Sequence, residues 1–446
     1  MTKQRLVVLG GGESGIGSAV LGKVKGLDVF LSDSGQIKPD FKKTLEQFDI
    51  PFEECGHTKS AILNADEVVK SPGIPEDNPL VLLIKENRIP IISEIEFAGR
   101  YDTAKKICIT GSNGKTTTTS LIYYMLKNAG LNVGLAGNIG KSYAYQVATE
   151  KFDYYVIELS SFQLDGMYKF KADIAILMNI TPDHLDRYEF QMQNYVNAKF
   201  RITQNLTKKE CFVFCADDPI TAKELDKIVI TAKKLPFTQK EKVEQGACID
   251  EDKLYVRYED DEYSMYMKEL ALQGKHNLYN QMAAAIAAKV VDIDNKLIRE
   301  SLMSFQGVEH RLEKVLTVKG VLYVNDSKAT NVDAAWYALD SMTTPVVWIA
   351  GGKDKGNDYS QLYELVKNKV RILICMGLHN EKLHQCFADK VDKIIDVTSA
   401  KDAVTVAYKY AKPGDTVLLS PCCASFDLFK NYEDRGKQFK QAVKEL

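Results

Sequence analysis

The octapeptide GSNGKTTT, residues 111–118, stands between an apolar run and an amphipathic pattern, and it obliges the chain around it to be α/β. KKICIT, Lys105–Thr110, reads as a short buried strand. TTTTSLIYYMLKNAG reads as a helix ending at Gly130, with Leu121, Ile122, Met125 and Leu126 on one face. A strand, a tight glycine turn carrying Lys and Thr, and a helix N-terminus together cradle polyphosphate. Backbone N–H groups and the helix dipole there favour anionic oxygen. In this reading Gly111, Ser112, Asn113, Gly114 and Thr117 surround the phosphates, Lys115 reaches the terminal ones, and Thr116 holds Mg²⁺. The full pattern wants another glycine at position 109, where this chain has Ile109, so the loop is a shortened variant. Such a loop marks a user of ATP or GTP.

The alternation of strand and helix occurs in three blocks. RLVVLGGGESGIGSAV opens the first, with Gly10, Gly12 and Gly15 in the turn; LDVFLSD follows, ending at Asp33, and then ADEVVKSPGI. The pattern is that of a doubly wound, mostly parallel sheet, which takes ligands beyond the carboxyl ends of its strands. In the second block, strands are expected over Asp153 to Ser161 and Ala172 to Asn179, a hairpin over 253–270, and helices from His276 to about Val290 and on to Phe305. The third contains GVLYVND, PVVWIAGG, VRILICMG and TVLLSP. Breaks near residues 95–103 and at Gly307 divide the 446 residues into 1–97, 98–306 and 307–446, in keeping with about 150 residues per domain. A net charge of −2 supplies no field for nucleic acid or membrane surfaces. The nine cysteines lack paired spacing and read as reduced thiols. With no run near the ~20 apolar residues of a membrane span and no signal-peptide pattern, a cytoplasmic location is expected.

Chemistry gathers at strand ends. Glu158, where YYVIEL leaves the sheet, is placed to reach the Mg²⁺ of the loop, the alternative being a strand-end carboxylate in solvent. His184 in NITPDHLDRY can ligate a second metal, bind phosphate, or simply cap a helix. Lys199 in NYVNAKFRI has a solvated helix face as its default environment. In the third block NDSKATN (Asp326, Lys328, Thr330), GGKDKGND (Lys353, Lys355) and SPCCASFD form three polar turns at one sheet edge, suited to a small charged substrate. Arg311, in GVEHRLE, is expected to place a cation across a domain cleft.

These motifs, together with VIELSSFQL, GKHNLYN and LSPCCASFDLFKNYEDRG, resemble the Mur ligases in order from about Gly10 to Gly436. ELSSFQL and NDSKATN resemble the member that adds D-glutamate to UDP-N-acetylmuramoyl-L-alanine. The resemblance implies a Rossmann-like N-terminal domain for the UDP-sugar, a central phosphate-loop ATPase and a Rossmann-like C-terminal domain for the amino acid. It implies an ATP-dependent amide ligase of peptidoglycan precursor synthesis, acting through an acyl phosphate, with two Mg²⁺ ions and a monomeric chain. By resemblance Lys115, Thr116, Glu158 and His184 handle ATP and metal, and Lys199 is carbamylated. Asn277, Asn280, Arg311 and Asp326 complete the nucleotide site. Ser14, Asp33, Ser34, Ser71, Pro72, Gly73 and Asn138 contact the UDP-sugar. Lys328, Thr330, Lys355, Ser425 and Tyr432 hold D-glutamate, Tyr432 replacing a more usual Phe. Where the family pattern after the second strand is Asp, Ser or Thr, then Arg, this chain has Asp33, Ser34, Gly35.

Three other readings compete. One is a superfamily ligase of different amino-acid preference, including a folylpolyglutamate synthase. Another is a nicotinamide dehydrogenase, suggested by G-x-G-x-x-G at Gly10 to Gly15 with Asp33 at the ribose-binding position. The third is a protein that changes shape on binding ATP without making an amide.

Overall fold

The computed structural model describes residues 3–354 and 356–446. It is a mixed α/β protein with three sheets. The first contains β1 (Arg5–Leu9), β2 (Asp28–Ser32), β3 (Phe52–Glu53), β4 (Glu67–Lys70) and β5 (Ile91–Ile92), all parallel in the order β3-β2-β1-β4-β5. RLVVL takes the centre because a strand covered on both faces must be apolar along its length. The direction of winding reverses between β1 and β4, which opens a crevice above the glycines that follow β1.

The second sheet contains β6 (Lys105–Thr110), β7 (Val133–Gly137), β8 (Tyr154–Glu158), β9 (Ile174–Leu177), β10 (Cys211–Cys215), β11 (Lys233–Thr238), β12 (Gly246–Asp250), β13 (Lys253–Tyr258) and β14 (Asp261–Tyr266). Their order is β14-β13-β12-β11-β10-β9-β6-β8-β7, parallel except for the β12–β13–β14 meander. β6 has the predicted bounds, and the predicted hairpin is β13–β14. β8 is shorter than the apolar run suggests. It stops at Glu158 because Ser160 and Gln163 form a reciprocal capping box that starts the helix Ser161–Asp165.

The third sheet contains β15 (Glu313–Val318), β16 (Val321–Asn325), β17 (Val346–Ala350), β18 (Val370–Met376), β19 (Lys393–Val397) and β20 (Thr416–Leu419), ordered β15-β16-β20-β17-β18-β19. β15 is an antiparallel edge; the other pairings are parallel. The chain forms two compact units, residues up to 271 with 277–305, and 272–276 with 306–446.

Within the first unit one core joins two of the sheets. Val20 of the helix Glu13–Val24 and Tyr143 and Ala144 of the helix Tyr143–Thr149 are buried in it. At Gly17 any Cβ would strike Ser142 Oγ, so only glycine permits this helix packing. In the second unit two apolar layers cover opposite faces of the third sheet, one around Trp348 and Phe387, the other around Tyr323 and Phe439. Among the described residues no helix is long and apolar enough to cross a membrane.

Candidate active site

The phosphate loop links β6 to the helix Lys115–Asn128. Gly111 (φ 148°) and Gly114 (φ 83°) adopt backbone conformations that disfavour side chains, and a Cβ on Gly114 would collide with Asn280 Oδ1. Ser112 N–H donates to the Asn179 carbonyl (2.9 Å) and Asn113 N–H to Asn179 Oδ1 (2.8 Å), so a residue just beyond β9 shapes the loop. Ser112 Oγ also lies 3.0 Å from Tyr195 Oη. Lys115 Nζ donates back to the carbonyls of Gly111 (2.7 Å) and Ser112 (2.8 Å). Thr116 and Thr117 are buried in the first helical turn.

Glu158 is 1% exposed, which excludes the solvated strand-end alternative. Its Oε1 accepts from Asn138 Nδ2 (2.9 Å), while Oε2 is buried with no hydrogen-bond partner among the described residues. A buried, unsatisfied carboxylate oxygen beside a phosphate loop fits a cation ligand.

Lys199 corrects the default reading. It is 2% exposed, with Nζ donating to the Gly111 carbonyl (2.8 Å) and to Thr110 Oγ1 (3.3 Å) and lying over the Tyr195 ring. Burial, then the neighbouring Lys115 charge, hold its amine well below the ordinary lysine range, against the opposing pull of Asp183, Glu158 and Asp165. Tyr195 precedes Lys199 by one helical turn on the helix Met192–Phe200, so its place beside the lysine was readable from spacing. Asp183 and Asn179 had no such signal.

His184 is the N-cap residue of the 3₁₀ turn Leu185–Tyr188, in a left-handed conformation (φ 52°) and without a side-chain capping hydrogen bond. Its ring packs edge-on against Phe162, with centroids 5.3 Å apart. Asn277 and Asn280 share a face of the helix Lys275–Val290, where Asn280 Oδ1 accepts from Thr118 Oγ1 (3.3 Å).

Beyond β1, Gly15 packs on the Gly10 carbonyl and Ser71 Oγ is buried beside Gly10 with no hydrogen-bond partner among the described residues. Asp33 Oδ2 accepts from Gly11 N–H and Oδ1 from Gly35 N–H (2.6 Å), so this carboxylate staples two strand-end turns. Ser34 and Gly73 are exposed, Ser14 and Pro72 half-buried.

In the second unit the three polar turns do converge, since β16, β20 and β17 are neighbours. Lys353 N–H donates to the Ala424 carbonyl (2.8 Å) and Asp326 N–H to that of Leu419 (2.8 Å). Asp326 accepts from Ser420 Oγ (2.9 Å) and Leu312 N–H (3.2 Å); burial pushes its carboxyl up to about 7 against the pull of Arg311. Arg311 Nε is itself buried and makes no hydrogen bond among the described residues. Lys328 Nζ sits 5.4 Å from the Tyr432 ring centroid. Thr330 N–H donates to the Lys328 carbonyl (2.9 Å), and Ser425 is buried. Lys355 lies outside the described residues.

The family model of the Mur ligase middle domain matches residues 109–288, that of the Mur ligase glutamate ligase domain residues 310–423, and that of the MurD N-terminal domain residues 6–79. The chain is a Mur ligase. Among its relatives, a UDP-N-acetylmuramoylalanine--D-glutamate ligase of Bacteroides fragilis is 62% identical over 99% of this chain and 100% of its own. A protein of the same name from Bacteroides thetaiotaomicron is 59% identical over 99% and 100%. The crystal structure of the UDP-N-acetylmuramate-alanine ligase MurC from Thermotoga maritima shares the fold of this Mur ligase, with a TM-score of 0.62 at 18% identity over 99% of each chain.

Proposed function

We propose that this Mur ligase, with cleavage of ATP, joins D-glutamate to UDP-N-acetylmuramoyl-L-alanine, the two compounds that its relatives' names carry. The observation that carries the ATP-dependent step is the gathering of Lys115 and Lys199 on the Gly111 carbonyl, with Glu158, one of whose oxygens has no hydrogen-bond partner among the described residues, close enough for its charge to act on Lys199. The L-alanyl carboxylate attacks the γ-phosphate, ADP leaves, and the amine of D-glutamate then displaces phosphate from the acyl phosphate. Both partners of the first step are anionic, so the barrier is largely one of charge. Lys115 exchanges the loop carbonyls for the terminal phosphates.

Thr116 and Glu158 would hold Mg²⁺, which when bound neutralises phosphate charge and orients the γ-phosphoryl group. We assign a second ion to His184 and a carbamylated Lys199. Depression of the lysine eases loss of its ammonium proton; the freed amine adds to CO₂ with loss of a second proton, and the cation becomes an anion suited to a metal. Gly111, Ser112, Asn113, Gly114, Thr117, Asn277, Asn280, Arg311 and Asp326 are assigned to the nucleotide. Ser14, Asp33, Ser34, Ser71, Pro72, Gly73 and Asn138 are assigned to the UDP-sugar. Lys328, Thr330, Lys355, Ser425 and Tyr432 are assigned to D-glutamate. We ascribe these substrate roles to residues 1–97, 98–306 and 307–446, in a monomer working in the cytoplasm.

The test is ADP release by the purified protein. Release should need both the UDP-sugar and D-glutamate and should fall roughly 100-fold or more with Lys115→Ala. Release with neither acceptor present would overturn the reading.

A further inference from the structure

We propose that His57 reads the pyrimidine of the UDP-sugar, its Nε2 accepting the N3–H of uracil. The inference rests on the proposed UDP-sugar substrate and goes beyond it by naming the group that selects the base. In a sheet wound β3-β2-β1-β4-β5, the pyrophosphate belongs at the glycine turn after β1 and the N-terminus of the helix Glu13–Val24. An acidic residue at the end of β2 marks the ribose side, so the base lies further toward the β2–β3 edge.

At that edge Asp33 is occupied by Gly11 and Gly35, and Gly35 offers no side chain. The turn after β3 is tied over the same edge: Cys55 N–H donates to the Gly35 carbonyl (3.0 Å) and Gly56 N–H to that of Asp33 (3.2 Å). Cys55 takes φ 61° to make this bend. The turn brings His57 to the end of β2, where Nδ1 lies 2.6 Å from Ser32 Oγ, and Ser32 Oγ lies 2.6 Å from Glu53 Oε1.

The hydrogen-bond chain fixes the tautomer. The Glu53 carboxylate only accepts, so the single hydroxyl hydrogen of Ser32 goes to it, and Ser32 Oγ must accept from Nδ1–H of His57. In the neutral ring Nε2 then carries the lone pair. It makes no hydrogen bond among the described residues. A Ser–His–carboxylate nucleophile is excluded because Ser32 is fully buried. What is left is an oriented acceptor beside the expected base. Uracil presents a donor at N3 and cytosine an acceptor, so the same atom attracts one and opposes the other.

The experiment measures UDP and CDP as competitive inhibitors of UDP-sugar-dependent ADP release. The wild-type protein should favour UDP by roughly tenfold or more. His57→Ala should raise the KM for the UDP-sugar by a similar factor and bring the UDP:CDP ratio near one. Its kcat and its KM for ATP and D-glutamate should stay within about twofold, a split that misfolding does not produce. Ser32→Ala keeps the ring but frees its tautomer, and should narrow the ratio as well. A wild-type ratio near one, or an unchanged ratio in His57→Ala, overturns the assignment. Absence of UDP-sugar-dependent turnover in the wild type would instead count against the ligase reading on which it rests.

Discussion

Lys115 and Lys199 share one acceptor: the Gly111 carbonyl oxygen lies 2.7 Å from the Nζ of the first and 2.8 Å from that of the second. Two cations on one oxygen in a buried site repel each other, and the arrangement relaxes when one is neutral. Lys199, buried against Tyr195, is the one whose proton is held weakly.

Lys199→Arg keeps a permanent cation that cannot take up CO₂. Turnover is expected to fall on the order of 100-fold, the cost of losing an electrostatic or supporting group at such a site. Intact mass should show one added CO₂ on the wild type and none on the variant. Wild-type activity in the arginine variant would refute the carbamate.

Gly114→Ala places a Cβ against Asn280 Oδ1 at φ 83°. A loss of about 1–2 kcal/mol from the left-handed backbone alone is expected, with weaker ADP binding by titration calorimetry. Removing the clash in Gly114→Ala/Asn280→Ala should restore affinity only in part, since the backbone strain stays and Asn280 is itself assigned to the nucleotide. Full restoration would show that the steric contact was the whole effect.

Glu94 is buried at the start of the helix Glu94–Gly99, accepting from Ser142 Oγ (2.5 Å) and Ala144 N–H (3.0 Å), and burial lifts its carboxyl to about 7. Between 4.5 and about 7 the folded state therefore holds a proton that the unfolded state has lost. This stabilisation is complete below pH 4.5 and disappears as pH rises through 7. Glu94→Gln removes the titration, and the difference between variant and wild type across pH 5 to 8.5 should be on the order of 2–3 kcal/mol in denaturant unfolding. Parallel pH profiles would disprove the assignment.

Arg435 is buried, donating from Nε to Ser327 Oγ (3.0 Å), from one terminal nitrogen to the Ser327 carbonyl (2.8 Å) and from the other to the Cys423 carbonyl (3.2 Å). It anchors the turn that carries Asp326 and Lys328. Arg435→Lys cannot span these acceptors, and a loss of about 3 kcal/mol is expected, together with a raised KM for D-glutamate. The same KM as wild type would separate the anchor from substrate binding.

Strands with a wholly apolar interior and glycine at the exit, such as β1 and β6, were readable because both signals are local. The edge strands β3, β5 and β19 were not. Two-residue FE and II carry no periodicity, and KIIDV keeps only Val397 buried. β15 gains its strand state from pairing with β16 rather than from its own exposed residues.

Chain order alone was enough to place the strand, glycine turn and helix of residues 105–128, because their constraints act within a few residues. Lys199 belongs to the opposite case: nothing in NYVNAKFRI says that its amine is dry. That follows from β6 and its glycine loop meeting the helix Met192–Phe200 across more than eighty positions of chain. Burial and the charge of Lys115 are properties of packed neighbours, and only tertiary structure brings them to bear on one nitrogen.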